Sequence, residues 1–248
     1  MTLKINITLD SIKSISLRTL YFIKSFMPII MTLIPLWLVI GCLKADQPVI
    51  EDITTGGKWN LSIGDSYENI YQNLQELGME KEFQAVAVVG RDGYEEPHDI
   101  REILPYYNWL SIQTTTGRVE GVLLSLENDR VKEILVGNSW YVDSLDLWPE
   151  DFAEDEAIRR GDSFEDLFTA LEHIHSSSVY MNYQYILPDK PLDLDFDPDM
   201  KNYGQWAFTF LEDPDQPGKQ GRSQVRLFFE SGKLVRIHHV FDEHEVVI

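Results

Sequence analysis

Cysteine occurs once, at Cys42. One thiol cannot form a disulfide within the chain, so its stability has to come from a buried core. Basic residues are scarce: 21 Lys and Arg stand against 41 Asp and Glu, a formal net charge of −20. Such a field repels phosphate backbones and anionic headgroups, which excludes nucleic acid as a partner and favours basic proteins. No serine sits in a G-x-S-x-G elbow, no glycine-rich phosphate loop follows a strand, and no paired cysteines offer a metal site. The expectation is therefore a non-enzymatic chain with no cofactor, no metal and no catalytic residue.

One long apolar run is present, and it lies near the start. Lys4, Lys13, Arg18 and Lys24 precede a stretch from Phe26 to Gly41, 16 residues against the roughly 20 needed to span a bilayer. A basic start, an apolar centre and a small residue at the end describe a secretory signal over residues 1–41. The sequence Leu38-Val39-Ile40-Gly41-Cys42 resembles the lipobox of bacterial lipoproteins. That resemblance implies lipidation of Cys42 and an envelope protein anchored through it, facing the periplasm. Leu43 rather than Asp after the cysteine implies the outer membrane over the inner. With the leader's four bases and Asp10 set aside, 17 Lys and Arg face 40 Asp and Glu.

The remainder contains a repeat. Gly64-Asp65-Ser66-Tyr67-Glu68-Asn69-Ile70-Tyr71 returns 97 residues later as Gly161-Asp162-Ser163-Phe164-Glu165-Asp166-Leu167-Phe168. At the same shift Trp109 meets Trp206, and further on Val131–Ile134 meets Leu234–Ile237 at a shift of 103. Self-similarity of this kind governs the fold. Each motif reads as a helix start, with Ser or Asp as N-cap. The first helix carries Ile70, Leu74 and Leu77 on one face and is expected to stop at Gly78; the second carries Leu167, Leu171 and Ile174. Strands are expected over 109–114, 121–127 and 131–136, then over 205–211, 224–230 and 233–241. Residues 83–89 are readable as helix or strand.

The expected class is α+β, with two tandem modules of a helix and a three-stranded antiparallel meander. The boundaries are residues 42–60 for a lipidated tether, 61–137 for the first module, 138–157 for an acidic connector and 158–248 for the second module. The G-x-[ST] helix start, the Trp opening the first strand and the closing Phe229-Glu230-Ser231-Gly232-Lys233-Leu234-Val235-Arg236-Ile237 are similar to the SmpA/OmlA (BamE-like) lipoproteins of outer-membrane assembly. In tandem, the module resembles β-lactamase inhibitor protein. The resemblance implies a protein that binds other proteins and has no catalytic residues.

Candidate binding residues follow from charge and aromaticity. Asp193, Asp195, Asp197 and Asp199 alternate within Leu192–Met200. If extended, the segment sets four carboxylates on one side, suited to calcium, to a basic partner or to solvent. A calcium loop also needs a turn glycine and a closing glutamate in register, and both are missing. Trp109, Tyr141, Trp206 and Tyr180, if exposed, are candidate aromatic anchors, with Tyr141 and Tyr180 taken as the binding candidates. The histidines read as structural, since His238 and His239 are adjacent on a strand and point to opposite faces. The function expected is an immunity or inhibitor lipoprotein that neutralises a secreted toxin or hydrolase. The alternative is an accessory lipoprotein of outer-membrane assembly or envelope maintenance.

Overall fold

The computed structural model describes residues 47–115, 121–138, 141–212 and 219–245, with the side chains of Asn138 and Tyr141 left out. Cys42 lies outside these residues. In chain order the first half runs β1 (Val49–Ile53), β2 (Gly57–Lys58), β3 (Leu61–Ser62), α1 (Tyr67–Lys81), β4 (Ala85–Val88), β5 (Trp109–Thr114), β6 (Gly121–Glu127) and β7 (Arg130–Asn138). The second half continues with β8 (Tyr141–Leu145), β9 (Leu147–Trp148), β10 (Ile158–Arg159), α2 (Phe164–Ser176), β11 (Tyr183–Ile186) and β12 (Lys190–Pro191). It closes with β13 (Gln205–Glu212), β14 (Lys219–Glu230) and β15 (Lys233–Glu245).

Both repeat motifs start helices. Ser66 Oγ accepts from the backbone N–H of Asn69, and Ser163 forms a reciprocal capping box with Asp166. Helix α1 does not stop at Gly78 but continues to Lys81, with Glu82 in the left-handed conformation as its C-cap. Gly78 serves close packing instead: a Cβ there would lie 2.7 Å from Phe83 O and 2.8 Å from Leu192 Cδ1. Residues 85–88 resolve as strand β4.

The tandem-module architecture is overturned by where the helices lie. Ile70, Tyr71, Leu74 and Leu77 of α1 are buried against Trp206, Phe208, Leu227, Phe229 and Leu234, which belong to the second half. Leu167, Phe168, Leu171 and Ile174 of α2 are buried against Leu110, Ile112, Val122, Leu124 and Ile134, which belong to the first. Each helix therefore covers the meander of the other half. The exchange is pinned at both ends. Gly64 N–H donates to Leu234 O at 2.8 Å and Leu234 N–H to Asp65 O at 2.9 Å. Gly161 N–H donates to Val131 O at 2.7 Å and Val131 N–H to Asp162 O at 2.9 Å. The α+β class is compatible with this arrangement, but each meander sits in a larger sheet. One has six strands in the order β1-β15-β14-β13-β4-β12, the other five in the order β11-β5-β6-β7-β8.

Strand β1 comes from the segment read as a tether, and β8 and β9 come from the connector. Both long hairpins carry a register shift at matched places, between Ser125 and Leu126 and between Phe228 and Phe229. The two tryptophans, however, are not equivalent. Trp206 is fully buried opposite Leu227, whereas Trp109 is opposite Ser125 and it is Leu110 that is buried, opposite Leu124. A slip of one residue reverses the face a side chain occupies. Trp109 is thereby released from the core.

Candidate functional site

The two cores meet along a buried polar seam. Arg91, just beyond β4, reaches Asp197 Oδ2 at 2.9 Å and Asp199 Oδ2 at 3.2 Å. It also donates to the Tyr107 hydroxyl, which donates to Asp197 Oδ2 at 2.8 Å. Tyr94 donates to Asp199 Oδ2 at 3.1 Å, and the Asp199 N–H to Asp197 Oδ1 at 2.9 Å. Asp197 is fully buried, and a buried carboxylate is tolerated only when paired and hydrogen-bonded in this way. Burial alone would lower the Arg91 pKa, but Tyr107, Tyr94 and Asp197 outweigh it and hold the pKa above its ordinary value. The Tyr107 hydroxyl is raised by burial, and Asp197 adds to the rise.

Beside the pair lies Lys190, also fully buried. Its Nζ donates to Pro191 O at 2.7 Å and stands 5.1 Å from the centre of the Tyr71 ring. Burial brings its pKa down to about 8, against the opposing pull of Asp197, Asp193 and Asp195. The backbone around it is capped by side chains. Tyr71 donates to Pro191 O and Leu194 O at 2.8 and 2.9 Å, and Gln75 to Leu192 O at 2.7 Å.

A groove of 1610 Å³ opens between the second half of α1, the start of β4 and residues 188–193. Its apolar part comes from Met79, Phe83, Ala85, Trp109, Pro188, Pro191 and Leu192. Its charged part is Glu76, Glu82, Asp189 and Asp193, and no Lys or Arg lines it. All four acids are exposed, as is Met79 at 78 %. Small-molecule sites run to roughly 300–1,000 Å³ and enclose most of the ligand. A wider, open, acid-lined groove with an exposed methionine matches a polypeptide element better. The nearby carbonyls of residues 191, 192 and 194 are already capped, so recognition here goes through side chains rather than strand addition.

Comparisons with protein-family models, curated proteins and solved structures all returned no match.

The candidate acids divide between the two features. Asp197 and Asp199 turn inward to Arg91, while Asp193 and Asp195 are exposed and only Asp193 lines the groove. The four do not line one side, because the segment is not extended: residues 192–194 turn, and a 3-10 helix over Pro198–Asn202, capped by Asp197, takes up the rest. Among the described residues no three His, Cys, Asp or Glu side chains converge as metal ligands. Tyr180 is half-buried in a separate aromatic cluster, 5.3 Å from Trp148, 5.6 Å from Phe152 and 5.1 Å from Tyr183. Burial pushes its hydroxyl up to about 12, with Asp151 assisting. Tyr141 stands in β8, and its side chain is not among those described. Glu76, Met79, Glu82 and Asp189 were missed by sequence reasoning. The signal available was the exposed, acidic side of α1 opposite its apolar face.

One other arrangement has the outline of a catalytic triad. Glu51 Oε2 is 3.1 Å from His239 Nδ1, and His239 Nε2 is 2.7 Å from Ser223 Oγ. Two observations exclude hydrolytic use in this conformation. Ser223 is fully buried, and its hydroxyl donates to Glu212, which withholds the proton from His239.

Proposed function

We propose that the chain is a protein-binding lipoprotein, anchored through Cys42 and facing the periplasm, whose acidic groove holds a basic element of a secreted toxin or hydrolase and blocks it. It acts by occupation and takes no part in covalent chemistry. The observation that carries this reading is the groove itself: four exposed carboxylates, no cation and an exposed Met79 in one concave surface. An apolar anchor within a charged rim is the usual anatomy of a tight interface. The surrounding net charge of −20 raises the association rate of a cationic partner.

The test is direct. Secreted basic toxins or hydrolases, beginning with any encoded beside this gene, are titrated with the mature chain, with their activity and the affinity as readouts. Inhibition at one-to-one stoichiometry is expected, and the double substitution Glu82→Lys with Asp193→Lys should weaken it by roughly tenfold or more, mainly in the association rate. Inhibition that survives both reversals removes the groove from the account. A deletion that perturbs outer-membrane permeability without any such target would favour an envelope-maintenance role instead.

A further inference from the structure

The Glu51–His239–Ser223 chain remains to be explained. It begins on β1, the edge strand of the six-stranded sheet, which is attached by little else than its backbone ladder. Val49 and Ile50 are 56 % and 59 % exposed, Glu51 and Asp52 are exposed, and only Ile53 is partly covered. What fastens β1 through side chains is ionic, and it runs over both faces. On the helix-bearing face Glu51 meets Lys58 and His239. On the opposite face Asp52 meets His238 Nδ1 at 3.0 Å and Arg236 Nη1 at 3.2 Å.

The proton count on the first face is decisive. A carboxylate only accepts hydrogen bonds, so His239 Nδ1 must carry a proton to bond Glu51. The single Ser223 proton goes to Glu212, so Ser223 Oγ can only accept from His239, and Nε2 must carry a proton as well. All these bonds exist together only when His239 is an imidazolium. The charged groups around it are Glu51 on β1, Lys58 on β2 and Glu212 on β13. Two rows further along the same face of β15, past Phe241, Glu243 stands 3.6 Å from Lys219 on β14. The Trp59 ring packs edge-on against His239 at 5.3 Å. Around His238 the charged groups are Asp52, Arg236 and Arg226, which stands opposite it on β14.

We propose that β1 is a proton-gated strap, clasped to β15 by His238 and His239 while both are charged and opening more often when they lose their protons, since only Lys58, Arg236 and the backbone ladder then hold it. A neutral His239 turns a lone pair toward either Glu51 or Ser223, so the Glu51 bond is either lost or kept without the imidazolium charge, and the hold on β1 weakens in both cases. A neutral His238 loses its attraction to Asp52. Release bares the edge of β15 from Ile237 to Phe241, the residues that pair with β1. A bare edge is a template for an added strand.

The experiment follows amide exchange of residues 49–53 in the full chain from about pH 5.5 to 8, a range that brackets ordinary imidazole titration. Protection is corrected for intrinsic rates and divided by that of β13 at each pH. Losing one hydrogen bond to a charged group lowers the ratio by about tenfold across the range, and the double variant His238→Gln with His239→Gln removes the dependence. A ratio that stays flat in the natural chain overturns the proposal, as does a slope that survives in the variant. Should the variant fail to fold, nitrogen-15 NMR of the natural chain decides. Protons on both His239 ring nitrogens at pH 5.5 support the strap, and a single-proton tautomer there refutes it.

Discussion

Lys190 and Asp197 are the residues whose burial is hardest to reconcile with their charge, and Lys190 stands between Asp189 and Pro191, which line the groove. A lysine with a depressed pKa binds fewer protons folded than unfolded, so its contribution to stability rises with pH between the folded and unfolded values. With about 8 folded against the ordinary 10.5, that rise is on the order of 3 kcal/mol between pH 8 and 10.5. Buried tyrosines such as Tyr71 and Tyr107, held above their ordinary range by burial, oppose it at the alkaline end. The clean readout is therefore the difference between the natural chain and Lys190→Met in urea unfolding at pH 8 and pH 10. The variant should lack part of the rise, and equal slopes would show that Lys190 is not held in a desolvated site. None of this was legible in the sequence, where Asp197 reads like its three alternating neighbours. Only the fold brings Arg91 from 106 residues away.

The elements were more legible than their partners. Ser66 and Ser163 announce both helices, and the alternating runs announce the six long strands, because capping and pleating are local. Which sheet each helix covers depends on contacts from about 33 residues distant in sequence (Ile134 to Leu167) to about 164 (Ile70 to Leu234), and no periodicity encodes that. The repeated helix start is explained by the exchange. Gly64 and Gly161 have φ of +98° and +94°, with open space where a Cβ would stand, so the glycine serves backbone conformation alone. Each lets its own N–H reach the other half's hairpin at Leu234 or Val131. Gly64→Ala and Gly161→Ala should each cost about 1–3 kcal/mol, in similar measure, by thermal or urea unfolding. A large effect at one and none at the other would break the pseudo-equivalence. The tryptophan match illustrates the opposite hazard. Trp109 and Trp206 align in sequence, yet a one-residue offset places one in the groove and the other in the core.

For the molecule as a whole, reciprocal exchange makes the halves interdependent. A chain cut between residues 138 and 141 leaves each fragment with a helix whose sheet is on the other piece. Neither fragment should fold alone by circular dichroism, and mixing them should restore one-to-one complexes with native melting. A cooperatively folded single fragment would contradict the exchange. The same interlock keeps α1, β4 and residues 188–193 in fixed register, which makes the groove a pre-formed surface with little ordering cost on binding. That groove carries the central claim, and in-cell photocrosslinking tests it most directly. A benzophenone amino acid replaces Met79 in the groove or, as a control, Val142 on β8, 64 % exposed. The account predicts one dominant adduct with a basic secreted protein from position 79, abolished by Glu82→Lys with Asp193→Lys. No adduct from position 79, or the same adduct from both positions, would contradict it.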